Sequence, residues 1–136
     1  MIMRARDAMV SEPTTLEASA SAQEAGVRLA QPDVRAVLVS DQGVLVGVVT
    51  RKTLVREVVA RGRDPQSTEL RAIAEPPIFT LEADTALEQA FHELEERDLE
   101  RVPVVEDGRL VGVLSRAVVQ RRLAEEEPPA EPEVPE

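Results

Sequence analysis

Gly43-Val44-Leu45-Val46-Gly47-Val48 returns 65 residues later as Gly108-Arg109-Leu110-Val111-Gly112-Val113. A six-residue echo is weak on its own, but the offset holds without a gap on both sides. Upstream, Thr15-Leu16-Glu17-Ala18 falls on Thr80-Leu81-Glu82-Ala83, Ala25 on Ala90, Leu29 on Leu94 and Asp33 on Asp98. Val37 and Val39 fall on Val102 and Val104, and Thr50-Arg51 falls on Ser115-Arg116. Of the fifty pairs from Ser11 to Ala60, sixteen are identical. Self-similarity of this length at one period marks a structural unit used twice.

Each copy has the same expected element order. An extended run (Thr14 to Leu16; Ile78 to Leu81) leads into a helix. Ser21 with Glu24 offers a capping box in the first copy; Asp84 or Thr85 with Glu88 offers one in the second. Leu87, Ala90, Phe91 and Leu94 recur at helical spacing and predict a buried face. Two β-rich runs follow, Ala36 to Val39 and Val44 to Val49, around the turn Ser40-Asp41-Gln42-Gly43. Their counterparts are Val102 to Val105 and Leu110 to Leu114, around Glu106-Asp107-Gly108. A second helix starts at Thr50 or Ser115, both good N-caps. The order is β-α-β-β-α, an α/β (α+β) unit whose first step is a parallel pair with a right-handed crossover.

The 136 residues divide as a first unit at 1–62, a linker at 63–74, a second unit at 75–124 and a tail at 125–136. Within the linker, Ser67 to Ala74 is expected to form a short helix leading into the second unit. The tail alternates Glu and Pro and is expected to be disordered. Phe79 and Phe91 are the only aromatic residues, so the core must be aliphatic. A unit of about sixty residues buries only about 60% of its unfolded surface. Two such units gain by packing on each other.

Composition excludes several chemistries. There is no cysteine, hence no disulfide, thiolate site or cysteine nucleophile, which fits a reducing compartment. His92, the single histidine, stands among glutamates with no evident nucleophilic partner and is a poor lone metal ligand. No Gly-x-x-x-x-Gly-Lys run or nucleophile elbow is present, so no catalysis is expected. Six of the 26 acidic residues lie in the last twelve, leaving the body with 20 acidic against 16 basic residues, net −4. That balance argues against nucleic acid as a partner. No apolar run approaches membrane-spanning length and the first ten residues do not read as a secretory signal, so a soluble, cytoplasmic protein is expected.

The runs Arg101-Val102-Pro103-Val104-Val105 and Asp107 to Ser115, with Asp41 to Thr50 in the first copy, resemble the signature half of a CBS domain. Arg6-Asp7-Ala8-Met9 is similar to the usual lead-in of a first CBS domain. The resemblance covers Met1 to Ala124. It implies a CBS pair packed sheet to sheet about a pseudo-two-fold axis, with two clefts. It also implies a regulatory, ligand-sensing role, an adenine nucleotide or adenosyl ligand such as AMP, ATP or S-adenosylmethionine, and no other cofactor. The expected partners are a second copy in a homodimer and a regulated protein that the sequence does not name. Leu54, Val55, Val58 and Val59 are the apolar helix positions that motivate the dimer.

The family's cleft motif, Gly-x-x-Thr/Ser-x-x-Asp, joins hairpin to helix, with the hydroxyl facing an anion and the Asp accepting from a ribose. The resemblance places Thr50 and Ser115 at the hydroxyl, with Arg51, Lys52 and Arg116 beside them and Arg101 on the facing strand. The Asp position holds Thr53 in the first copy and Val118 in the second. Losing such a charge-assisted bond costs about 1.5–3 kcal/mol. A second reading follows, in which the module keeps its structural, protein-interaction role as a dimer and has lost nucleotide binding.

Overall fold

The computed structural model describes residues 2–11, 14–77 and 79–126. Elements follow the order α1 (Ala5–Ala8), β1 (Thr15–Glu17), α2 (Ala22–Leu29), β2 (Val37–Asp41), β3 (Val44–Val49) and α3 (Arg51–Leu54), which runs on as a π-helical turn over Val55–Val59. Then come α4 (Leu70–Ile73), β4 (Leu81–Glu82), α5 (Leu87–Glu96), β5 (Arg101–Glu106), β6 (Arg109–Ser115) and α6 (Arg116–Glu126). The fold is mixed α/β (α+β), and the 65-residue offset carries each element of the first unit onto its counterpart. Ile78 and residues 127–136 lie outside the described residues, so the predicted start of β4 and most of the tail fall there.

One six-stranded sheet has the order β1-β2-β3-β6-β5-β4. β1 and β2 pair in parallel, as do β4 and β5, as the βαβ reading requires. Both hairpins are antiparallel, and their inner strands meet at Val44 and Arg109, where the Leu110 N–H donates to the Gly43 carbonyl at 3.0 Å. The turns are tighter than the sequence suggested. β2 runs to Asp41 and β5 to Glu106, so only Gln42-Gly43 and Asp107-Gly108 reverse the chain. All four have positive φ (52°, 88°, 53° and 78°), the backbone of a two-residue I′ hairpin whose twist matches the strands.

The helices cover one face of the sheet and bury two cores. Val37, Val39 and Val49 pack against Ala22, Ala25, Leu29 and Val58; Val102, Val104 and Leu114 pack against Leu87, Ala90, Leu94 and Val119. Each core is completed by a helix whose chain position belongs to the other repeat. Ala5 and Ala8 of α1 are buried in the second core, and Leu70 and Ile73 of α4 in the first. The segment expected to lead into the second unit therefore packs on the first, and the chain's start packs on the second. The exchange is reciprocal in its hydrogen bonds. The Ala5 N–H donates to the Thr85 carbonyl at 2.8 Å, and the Leu70 N–H donates to the Ala20 carbonyl at 2.9 Å.

The two helix starts differ. Ser21 Oγ accepts from the Glu24 N–H at 3.2 Å, as read from the sequence. In the second unit neither Asp84 nor Thr85 caps α5; the N-cap is Ala86, and the Leu87 N–H donates to the Met3 carbonyl at 2.8 Å. The first unit has the equivalent bond, from the Ala22 N–H to the Thr68 carbonyl at 2.8 Å, and keeps its Ser21 cap; the second lacks a side-chain cap because the N-cap position, the repeat mate of Ser21, holds Ala86. Beyond α1 and α4 the chain crosses β6 and β3. Val10 and Val113 exchange bonds of 2.9 and 3.1 Å, Val48 and Glu75 bonds of 2.7 and 2.9 Å. Gly47 and Gly112 lie under these crossings, where a Cβ would come within 3 Å of a carbonyl oxygen.

Candidate functional site

Strand alternation turns Leu38, Val48, Pro103 and Val113 away from the two cores. They line a cleft of about 470 Å³ between the units, with Val10, Pro76, Pro77, Phe79 and Leu99 adding apolar wall. The resemblance implied two clefts; residues of both half-sites line this space. Its polar groups come from both units: the hydroxyl residues Thr14, Thr50 and Ser115, the carboxylates Asp33 and Glu75, and the cations Arg35 and Arg101. Arg56 pairs with Glu75. Asp33, Arg35 and Arg101 have no ion-pair partner among the described residues.

The residues expected from sequence divide into two groups. Thr50, Ser115 and Arg101 line the cleft. Thr50 also caps α3. Its Oγ1 accepts from the Thr53 N–H at 3.3 Å, while Thr53 Oγ1 accepts from the Thr50 N–H at 3.1 Å and lies 3.1 Å from Thr50 Oγ1. Thr53 is only 1% exposed, and the acceptor found for its hydroxyl is Thr50 Oγ1. With Thr53 donating there, the Thr50 hydroxyl hydrogen remains free to point into the cleft. Ser115 Oγ accepts a longer bond, 3.5 Å, from the Val118 N–H.

The remaining candidates are not among the cleft-lining residues. Thr53, the expected stand-in for a ribose ligand, is spent in the cap and buried beneath Thr50. Arg51 donates to the Gln31 carbonyl at 2.9 Å. Arg116 is held by Asp98 and Glu100. Lys52 is exposed on the outer side of α3. Sequence reasoning missed Arg35 and Asp33, although Arg101 pointed to them: its repeat mate is Ala36, one residue from Arg35. It also missed Phe79, one of only two aromatics and the one outside a helical stripe. The Arg97 guanidinium lies 4.0 Å from the Phe79 ring centre and steadies that wall.

Two β-α-β-β-α units, each completed by the other's lead-in helix and lining a cleft between them, define a tandem-repeat α/β module. The chain belongs to the CBS-domain family: the CBS domain model matches residues 5–60 and again 70–125. It is 30% identical over 125 residues to hypoxic response protein 1 of Mycobacterium tuberculosis, covering 91% of this chain and 83% of that one. The CBS domain-containing protein YhcV of Bacillus subtilis is 28% identical over 110 residues, covering 81% and 78%. Among solved structures, hypoxic response protein I with two coordinated zinc ions superimposes with a TM-score of 0.75 at 25% identity, covering 89% of this chain and 99% of that one. Among the described residues here, no group of three or more His, Asp or Glu is placed to hold a metal ion. No described helix is long and apolar enough to cross a membrane.

Proposed function

We propose that this CBS pair is a non-catalytic regulatory module that senses an anionic ligand, an adenine nucleotide in the first instance, in the cleft between its units. The observation that carries the reading is the pairing of an apolar cleft with two unpartnered guanidinium groups, Arg35 from one unit and Arg101 from the other. A cation left unpaired beside apolar wall suits a ligand with a flat apolar body and a phosphate. Thr50 supplies a hydroxyl donor and Phe79 an aromatic edge. Because the two arginines come from different repeats, a bound phosphate ties the units together. That gives ligand binding a mechanical readout at the crossings Val10–Val113 and Val48–Glu75, which border the same cleft. A regulated partner protein would read that change.

A thermal-shift titration with AMP, ATP and S-adenosylmethionine tests the reading. A ligand at a hundredfold excess over Kd stabilises the folded chain by about 2.7 kcal/mol. No shift with any of the three at millimolar concentration would leave the alternative, a dimeric interaction module whose cleft has lost its ligand.

A further inference from the structure

The loops that lead into β2 and β5 hold equivalent places in the two repeats and differ by one reversal of charge. Asp33 and Asp98 are repeat mates, as are Arg51 and Arg116, but the mate of Arg35 is Glu100. In the second unit Asp98, at 3.5 Å, and Glu100 both hold Arg116, whose side chain is only 24% exposed. Neither carboxylate lines the cleft. In the first unit Arg35 takes the place of Glu100, so Arg51 has a like charge where Arg116 has a carboxylate. Arg51 donates to the Gln31 carbonyl at 2.9 Å and leaves Asp33 unpaired. The backbone differs as well. Asp98 has a φ of 52°, Asp33 stays out of the left-handed region, and Pro32 before it replaces Arg97.

Asp33 and Arg35 therefore both line the cleft with their charges unmatched. Two residues of chain span at most about 7 Å, so the two groups reach a single ligand of nucleotide size. An ionised carboxylate accepts hydrogen bonds and cannot donate them, so Asp33 calls for a donor on that ligand. Glu75, the other cleft carboxylate, is already matched by Arg56. An anion alone would meet Arg35 and Arg101 and be repelled by Asp33. A molecule that carries hydroxyl groups close to its anion satisfies all three.

We propose that Asp33 is the residue by which the cleft tells a ribonucleotide from its deoxy analogues, accepting from the ribose hydroxyls while Arg35 and Arg101 hold the phosphate. The proposal rests on the nucleotide-sensing reading and adds what sets its specificity. The second unit has no equivalent reader, because Arg116 already matches Asp98 and Glu100. Each chain accordingly takes one nucleotide, read by the loop of the first unit.

Calorimetric titration of AMP and ATP, each beside its 2′,3′-dideoxy analogue, into wild type, D33A and D98A tests the proposal. Wild type is expected to bind one nucleotide per chain and to bind the dideoxy form roughly tenfold to a hundredfold more weakly, the range of one charge-assisted hydrogen bond. D33A should bind both forms alike, at or above the wild-type affinity for the analogue. D98A should keep both the preference and the ratio of one. Asp33 is exposed, so D33A is expected to fold as wild type does, which circular dichroism checks. Equal affinity of wild type for the two forms, or a preference that survives in D33A, would overturn the role of Asp33 and leave the nucleotide reading standing. Two nucleotides per chain would overturn the closure of the second loop. Binding of neither AMP nor ATP would overturn the proposal, and silence from S-adenosylmethionine as well would take the sensing reading with it.

Discussion

Gly47→Ala is the sharpest probe of the exchanged lead-in segments. A Cβ at this position would sit 2.8 Å from Ala74 Cβ and 2.9 Å from the Glu75 carbonyl oxygen. Ordinary carbon contacts are about 3.5–4.0 Å, so close to 1 Å must be found. Neither neighbour is the loose end of a side chain, so the Ala74–Glu75 backbone must move. That backbone is tied to β3 by the two Val48–Glu75 bonds of 2.7 and 2.9 Å. Overpacking costs about 1–3 kcal/mol and each weakened bond about 0.5–1.5 kcal/mol. A total of about 2–6 kcal/mol follows, or a fall in Tm of roughly 7–20 °C for a chain of this size. Gly108→Ala is the matched control. It has a φ of +78° but nothing within 4 Å, so it should cost only about 1 kcal/mol of left-handed strain. Urea and thermal unfolding followed by circular dichroism measure both. Ala74→Gly added to Gly47→Ala should return part of the loss. A Gly47→Ala chain within about 0.5 kcal/mol of the parent would refute the crossing.

Other expectations follow from the same packing. Leu29→Ala and Leu94→Ala, repeat mates that are 2% and 0% exposed, should each cost about 3 kcal/mol in urea unfolding, and similar values would support equivalent cores. Thr53→Val keeps the shape but removes the hydroxyl that caps Thr50 and leaves that N–H unpaired; a loss of about 1–2 kcal/mol is expected. Gln42→Asn should raise stability by about 0.5 kcal/mol, because Asn tolerates the φ of 52° better and the Gln42 N–H keeps its 3.3 Å bond to Glu17.

The duplication was legible because each repeat encodes its fold locally. Valine alternation sets the strands, Gly43 and Gly108 close the hairpins, and Leu87, Ala90 and Leu94 set a helical stripe. The exchange of α1 and α4 was not. Ala5 and Ala8 reach the second core, and Leu70 and Ile73 the first, only by crossing between repeats, and a four-residue helix has too short a period to declare which core it joins. The missing side-chain cap on α5 follows from the repeat itself, since the position of Ser21 is held by Ala86, and Thr85 and Asp84 stand one and two residues too early. The site was half legible. Hydroxyls at Thr50 and Ser115 stand where the hairpin-to-helix junction puts them. Arg51 and Arg116 carry the right charge but spend it on Gln31, Asp98 and Glu100, a choice that only the loop between α2 and β2, and its counterpart after α5, can fix. Arg35 was overlooked because its own repeat mate is Glu100 and the repeat mate of Arg101 is its neighbour Ala36, one residue off.

The direct test of the sensing role is calorimetric titration of ATP, AMP and S-adenosylmethionine into the wild-type chain and into R35A/R101A. Wild type is expected to bind at least one phosphate-bearing ligand saturably, with affinity weakened at least about a hundredfold when both guanidinium groups are removed, at about 1.5–3 kcal/mol for each charged bond. Equal affinity in the two proteins, or no heat from either, would contradict it.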